Sequence, residues 1–376
     1  MDAQGLTNPR VQKDEVEATP LVSVLYPAFN DESYLAENIE SIINQTYRNW
    51  ELIIVNDAST DATPEILKRY QSAYPEQIKV IEQAHQNRFD AWDSLYAAAA
   101  GKYLCAIGAD DVLLPEMLTR QVRLLEAQPT LAFSHSGIYR IDGEGRLINS
   151  QPVEDPPTKR QLIRLLESNY VWTPTVVMRK EAIEESGGWM RRKFLYAQDY
   201  DLWLRLLKGR VHGSIDEPLV KYRIHSWGLT QVAGTEKMLS YVNLVVQDKL
   251  KQWRLDEVFS SLDLDTDEGM LACYKEAEDM FFTGQFSYTN LELPLLNFLK
   301  PLIDKSTASR AVKRARTQFL YRVSYYFVRK RRYRLAIVYL KALARDPFFV
   351  AGFFRLALRR VRRRLPSFMR EKLQAI

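Results

Sequence analysis

The chain is poor in the residues that cross-link or metal-staple a fold: 376 residues contain two cysteines, Cys105 and Cys273, and four histidines. Two cysteines cannot form a disulfide framework, and scattered histidines without a CxxC pair argue against a structural zinc site. A reducing compartment fits best. No stretch reaches the roughly 18 apolar residues of a membrane-spanning helix. The opening MDAQGLTNPRVQKDEVEATP lacks the apolar core of a signal peptide. The expectation is a cytoplasmic protein, soluble or peripheral on the inner face of the membrane. Glycine (15) and proline (16) are too few for a fibrous or low-complexity chain, and 46% hydrophobic with 26% charged residues is globular composition. Acids are scarce in one region. From Lys300 to Ile376 there are 22 Lys and Arg but only Asp304, Asp346 and Glu371, so this segment carries +19 and the first 299 residues −14. Halves so different in charge have different partners.

Residues 1–19 are polar and unpatterned, and read as a flexible leader. LVSVLYPAF (Leu21–Phe29), ELIIVND (Glu51–Asp57), IKVIEQ (Ile78–Gln83) and the segment Lys102–Ile107 read as buried strands. Helical patterns alternate with them: one carries Leu35, Ile39, Ile42 and Ile43 on one face, one starts near Pro64, and one is the Ala-rich DAWDSLYAAAAG. Four such alternations predict an α/β fold with a mostly parallel sheet flanked by helices. Residues 142–160 read as a loop or hairpin, Thr173–Arg179 as a further strand, and AQDYDLWLRLLK as a helix with Leu202, Trp203 and Leu206 inward. From about Thr235 the pattern is helical throughout, giving a domain over 20–234 and a helical, strongly basic C-terminal region over 235–376.

Ligands of such sheets bind at the carboxyl ends of the strands, and here those ends carry Pro27-Ala28, Asn56-Asp57 and Asp110-Asp111. Adjacent carboxylates repel, so Asp110-Asp111 suits a divalent ion, Mg²⁺ or Mn²⁺, which takes one or two carboxylates plus substrate phosphates. The same pair would also cap a helix over Val112–Glu126. Asp57 suits a base edge or ribose hydroxyl, or an Asx-turn. Asp199 and Asp201 stand at a helix start where only one can cap, which leaves the other for general-base work. His225, in YRIH, is either a structural histidine or a third metal ligand or phosphate donor.

The order VSVLYPAFND, SIINQTYRNWELIIVNDASTDAT, AGKYLCAIGADDVLLPEML, TPTVVMRKEAIEESGGW, AQDYDLWLRL and YRIH resembles the inverting nucleotide-sugar glycosyltransferases of family 2, from about Pro20 to His225. The resemblance implies the GT-A (Rossmann-like) fold and a sugar transferred with inversion from a nucleoside diphosphate donor, usually UDP-linked. It further implies a nucleobase contact by Asp57, ribose and metal contacts by Asp110 and Asp111, and a catalytic base at Asp199. Pro27, Ala28, Asn30 and Arg88 fall on the nucleotide-sugar side, and Trp172, Thr175 and Trp189 on the acceptor side. The implied product is a polysaccharide or glycolipid, built on a glycan or lipid-linked acceptor. Three departures stand out. Asn56 and Gly108 replace acids frequent in the family, Gln198 replaces the glutamate before the base, and Phe89 stands where glycine is common. These departures leave a second reading, a catalytically degenerate nucleotide-sugar-binding or scaffold protein. A nucleotidyltransferase would need a Gly- and Lys-rich phosphate loop, and PAFNDES has none.

The C-terminal FLYRVSYYFVRKRRYRLAIVYLKAL and FFVAGFFRLALRRVRRRLPSFM interleave cations with large apolar groups. An anionic membrane surface suits them best; a hairpin with solvated arginines is the next reading, and nucleic acid the least favoured. Arg191, Arg192 and Lys193 are placed either on a lipid-carrier phosphate or in a solvated turn.

Overall fold

The structure is a computed structural model; it describes residues 19–84, 88–226, 228, 232–282, 292–304 and 309–329. The leader over 1–18 and the second half of the basic region, 330–376, lie outside the described residues. The chain divides into two units, one of residues 1–161 and 170–235, the other of residues 162–169 and 236–376.

In the first unit β1 (Val22–Ala28), β2 (Trp50–Asp57), β3 (Ile78–Gln83) and β4 (Tyr103–Ala106) alternate with α1 (Leu35–Ile43), α2 (Thr63–Ala73) and α3 (Arg88–Ala98). Pairings β1–β2, β1–β4 and β2–β3 are all parallel. Val24, Leu52, Ile54, Tyr103 and Cys105 are buried between helical layers, which is why these strands are apolar runs and not alternating ones. Leu35, Ile39 and Ile42 form the buried stripe of α1. Pro27 has no N–H to give, and it lies past the point where pairing with β4 ends at Leu25–Ala106.

Beyond β4 the sheet becomes mixed. Its order is β3-β2-β1-β4-β8-β6-β9-β5, with β7 on β6; β5 is Val112–Leu113, β6 Leu131–Ile141, β7 Leu147–Gln151, β8 Val177–Arg179 and β9 Val211–Arg223. Strand β8 is antiparallel to both β4 and β6, whereas β6 and β9 are parallel. The expected hairpin is the β6–β7 pair. Two sequence expectations need correction. Thr173–Thr175 is a 3-10 turn, and the strand holds only Val177–Arg179, because Pro174 cannot join a ladder. The expected helix over Val112–Glu126 begins at Met117 (α4, Met117–Ala127); Val112–Leu113 is instead strand β5, paired with Val220–Lys221. Asp110-Asp111 therefore caps no helix. The short helix α6 (Lys180–Glu185) and the longer α7 (Gln198–Leu207) complete the first unit, whereas α5 (Gln161–Glu167) belongs from Leu162 onward to the second.

The second unit holds helices α8 (Thr235–Gln252), α9 (Leu255–Val258), α10 (Asp267–Phe282), α11 (Glu292–Phe298), α12 (Lys300–Asp304) and α13 (Arg310–Arg329). Phe281 and Tyr274 of α10 meet Phe319 of α13, and Arg322 pairs with Glu278 across the same contact. Val312, Phe319, Leu320 and Val323 give α13 its buried face. None of the described helices is long and apolar enough to cross a membrane.

Candidate active site

The carboxyl ends of the parallel strands lie at one level: Ala28 is paired with Asn56, Asp57 with Gln83, and Leu25 with Ala106 just before Asp110. Two loops at this edge leave the strands in left-handed conformation without glycine, Asn30 at φ 55° and Ala58 at φ 57°. They are laced together. The Asn30 side-chain oxygen accepts from Thr60 N–H (2.8 Å), Glu32 accepts from Ala62 N–H (2.8 Å), and Asp31 N–H donates to the Thr63 hydroxyl (2.9 Å). Asn30 thus ties the loops, and it remains exposed. Buried Asp57 accepts from the Gln83 amide at 3.1 Å, and Asn56 donates to Glu82 at 2.7 Å. Ala28 is buried and Pro27 half-buried. The Arg88 side chain lies outside the described residues.

Asp110-Asp111 follows β4. The Asp110 carboxylate is about a third exposed and lies 2.9 Å from His225 Nε2. Asp111 is buried, and burial followed by the charge of Asp110 pushes its carboxyl well above the usual range. Gly108 has a local reason to be glycine: a Cβ there would stand 2.7 Å from Asp110 Oδ1, so an acid at 108 would displace Asp110. Asp31, just past β1, belongs to this edge. Its carboxylate accepts from the Tyr26 hydroxyl (2.7 Å) and Phe29 N–H (2.9 Å), and its pKa is raised to about 6, chiefly by burial and further by Asp110 and Asp61.

The divalent-ion expectation is tested by the donors present. Among the described residues no group of three or more His, Cys, Asp or Glu forms a metal cage. Two adjacent carboxylates, one of them costly to ionise where it is buried, nevertheless fit Mg²⁺ or Mn²⁺ that draws its other ligands from water and phosphate.

Asp199 is tied to the turn that precedes β8. Strand β8 runs antiparallel to β4 with Cys105 opposite Val177, and the Thr173–Thr175 turn that precedes β8 also packs against β4. The Thr173 hydroxyl donates to Asp199 Oδ2 at 2.6 Å, and Asp199 Oδ1 accepts Tyr200 N–H. Asp199 is half-buried, whereas Asp201 is fully buried and bonded to Arg205 Nε at 2.8 Å. The two acids at this helix start divide accordingly, Asp201 into a buried ion pair with Arg205 and Asp199 onto the Thr173 hydroxyl. Thr173 was not singled out from the sequence, since a lone threonine in a Pro-containing turn gives no signal.

The acceptor-side candidates separate. Trp172 is half-buried, with its ring 5.2 Å from that of Tyr222. Thr175 is buried and bonds its hydroxyl to Trp172 C=O, and Trp189 is buried with its ring stacked on Tyr96 at 5.0 Å. Both are buried, unlike Trp172. In the 190–197 loop Arg192 pairs with Asp90 and Asp93 of α3, each at 2.6 Å.

Comparison with known proteins finds relatives over most of the first unit. Residues 23–187 match the family model described as glycosyl transferase family 2. An uncharacterized glycosyltransferase of Haemophilus influenzae is 32% identical over 230 residues, 59% of this chain and 71% of the relative. The putative glycosyltransferase EpsE of Bacillus subtilis is 34% identical over 215 residues, 54% of this chain and 73% of EpsE. The putative teichuronic acid biosynthesis glycosyltransferase TuaG of the same organism is 28% identical over 207 residues, 54% and 79% of the two chains. Among solved structures, S. aureus TarS 1-349 in complex with UDP-GlcNAc superposes with a TM-score of 0.53 at 16% identity, covering 84% of this chain and 90% of that one. Mannosyltransferase PcManGT from Pyrobaculum calidifontis, in complex with GDP-Man and Mn²⁺, gives 0.52 at 14% identity, covering 88% and 89%. At such identity the structural likeness speaks to the GT-A fold. The sheet, its acidic edge and the sequence similarity point the same way, and the chain belongs to glycosyl transferase family 2.

Proposed function

We propose that this protein transfers a sugar, with inversion, from a nucleoside diphosphate donor to a hydroxyl of a glycan or lipid-linked acceptor, in polysaccharide or glycolipid synthesis. What supports the reading is that the Thr173–Thr175 turn packs against β4, the strand that Asp110-Asp111 follows, and that the Thr173 hydroxyl donates to Asp199. A base and a charge-binding pair on one edge are what displacement at a sugar carbon needs.

Asp111 and Asp110 would hold Mg²⁺ or Mn²⁺, with His225 completing the shell once its contact with Asp110 opens. When bound, such an ion offsets the negative charge that gathers on the diphosphate leaving group. Asp57 addresses the nucleobase from the end of β2. Asp199 takes the acceptor proton as the acceptor oxygen attacks the sugar carbon from the opposite face, and the Thr173 hydroxyl fixes the carboxylate rotamer by holding Oδ2. Trp172 offers a ring to the acceptor. UDP is the first donor nucleotide to test; the TarS complex contains UDP-GlcNAc and the mannosyltransferase complex GDP-Man with Mn²⁺. The cationic C-terminal region would attach the protein to an anionic inner membrane face, next to lipid-linked acceptors.

Screening nucleotide sugars for Mn²⁺-dependent hydrolysis and transfer tests the proposal. In the active pairing Asp199→Asn is expected to cost roughly 10²–10⁴-fold in turnover with nucleotide affinity unchanged. Near-normal turnover would remove Asp199 from the role. Nucleotide binding without transfer or hydrolysis by the unmodified protein would favour a degenerate, binding-only relative.

A further inference from the structure

We propose that Arg223 is a positioning residue that clamps the Asp110-Asp111 turn; the inference rests on the function proposed above. Arg223 is the last residue of β9, and its side chain is only 2% exposed although it is cationic. A buried guanidinium is costly unless its donors are used, and here they are spent on one place in the fold. Nε donates to the Asp110 carbonyl at 3.0 Å, and the backbone N–H of the same residue donates to Asp111 Oδ1 at 3.3 Å. One terminal nitrogen reaches the carbonyls of Asp142 and Gly143, at 3.3 and 3.2 Å, in the β6–β7 turn. The other reaches Glu37 Oε2 of α1 at 2.5 Å. The Tyr34 ring covers the guanidinium at 4.5 Å.

This set joins three chain segments far apart in sequence to the turn that carries both acidic residues. From beneath, Asn38 of α1 donates its amide to the carbonyls of Gly108 and Asp111, both at 2.9 Å. The turn is thereby fixed at its backbone, which leaves both carboxylates to be aimed by the fold and not by each other's repulsion. Mutual repulsion would otherwise swing Asp110 and Asp111 apart, and binding a divalent ion would then include the work of regathering them. Lysine keeps the charge but cannot serve Asp110, the 142–143 turn and Glu37 from one planar group, so fork geometry and charge can be separated experimentally.

The test is calorimetric titration of UDP in the presence of MnCl₂, on the full chain and on Arg223→Lys, Glu37→Ala and the double variant, with thermal midpoints recorded alongside. Glu37 is half-exposed, so Glu37→Ala is expected to leave the midpoint within a few degrees. Arg223→Lys is expected to weaken Mn²⁺-dependent UDP binding at least about tenfold. Glu37→Ala, which removes one arm of the clamp, is expected to weaken it several-fold at unchanged midpoint, and to add little in the Arg223→Lys background because both act through the same group. Unchanged affinity in both single variants, or strictly additive losses in the double, overturns the clamp. Should Arg223→Lys fail to fold, Glu37→Ala alone decides: loss of affinity supports the clamp, and none overturns it. If the unmodified chain binds neither UDP nor GDP with Mn²⁺, the functional reading itself falls, a result distinct from failure of the clamp.

Discussion

Asp31 shows how a single carboxyl at the acidic edge shapes pH behaviour. Its folded pKa of about 6 lies above the ordinary value of 3.8, so between those values the folded protein holds the extra proton. Its contribution to stability is therefore most favourable in acid and is lost as pH rises through 6. Asp31→Asn removes the buried charge and keeps an acceptor for Phe29 N–H. Above pH 6 the variant is expected to gain on the order of 2 kcal/mol, and near pH 4 nothing, as read by denaturant unfolding at both pH values. A constant difference across that range would show that Asp31 is not strained by ionisation. At this scale the sequence offers candidates where residue type and chemistry coincide, as at Asp57, Asp110, Asp111 and Asp199. Asp31, Thr173 and Arg223 escaped because they bond to residues 26 to 186 positions away, and no local pattern encodes such distances.

The parallel strands β1 to β4 were legible as apolar runs bounded by turn residues, and the stripe of α1 as helical spacing. The short strands β5 and β8 were not. Two or three residues carry no period, and their pairing depends on β9 and β6 meeting them in space. The loop after β2 carries a clear element-scale expectation. Ala58 sits at φ 57°, where a side chain costs roughly 1 kcal/mol that glycine does not. Its neighbours Asn56 and Ser59 close the turn through a 3.2 Å bond, so the conformation is imposed by the loop and not chosen by alanine. Ala58→Gly is expected to raise stability by up to about 1 kcal/mol, less the entropy glycine adds to the unfolded chain. A clear fall in thermal midpoint would mean that the alanine methyl makes a contact worth more than the strain.

For the molecule as a whole, buried histidines give stability a second dependence on pH. Under α7 lie His135 and His212, rings 4.6 Å apart and nearly perpendicular, with Phe133 and Tyr170 around them. Among the described residues neither nitrogen of His135 finds a hydrogen-bond partner. Burial holds His135 well below its usual pKa and pushes His212 down to about 4, with Asp155 opposing the shift at His212. Both rings stay neutral in the folded protein and become charged on unfolding, so their contribution is present above about pH 6.5 and is lost as pH falls toward 4, the reverse of Asp31. His135→Phe should accordingly lose less stability between pH 7 and pH 5 than the unmodified chain; an equal loss would exclude the pair as a source of acid sensitivity. The charge asymmetry of the chain was plain from composition, whereas which acids gather at one edge depended on the topology beyond β4. Titrating UDP into the unmodified protein and Asp111→Asn, with and without MnCl₂, tests the central claim most directly. Binding is expected to require Mn²⁺ in the unmodified chain and to weaken at least about tenfold in the variant. UDP affinity that is indifferent both to the metal and to Asp111 would contradict the account.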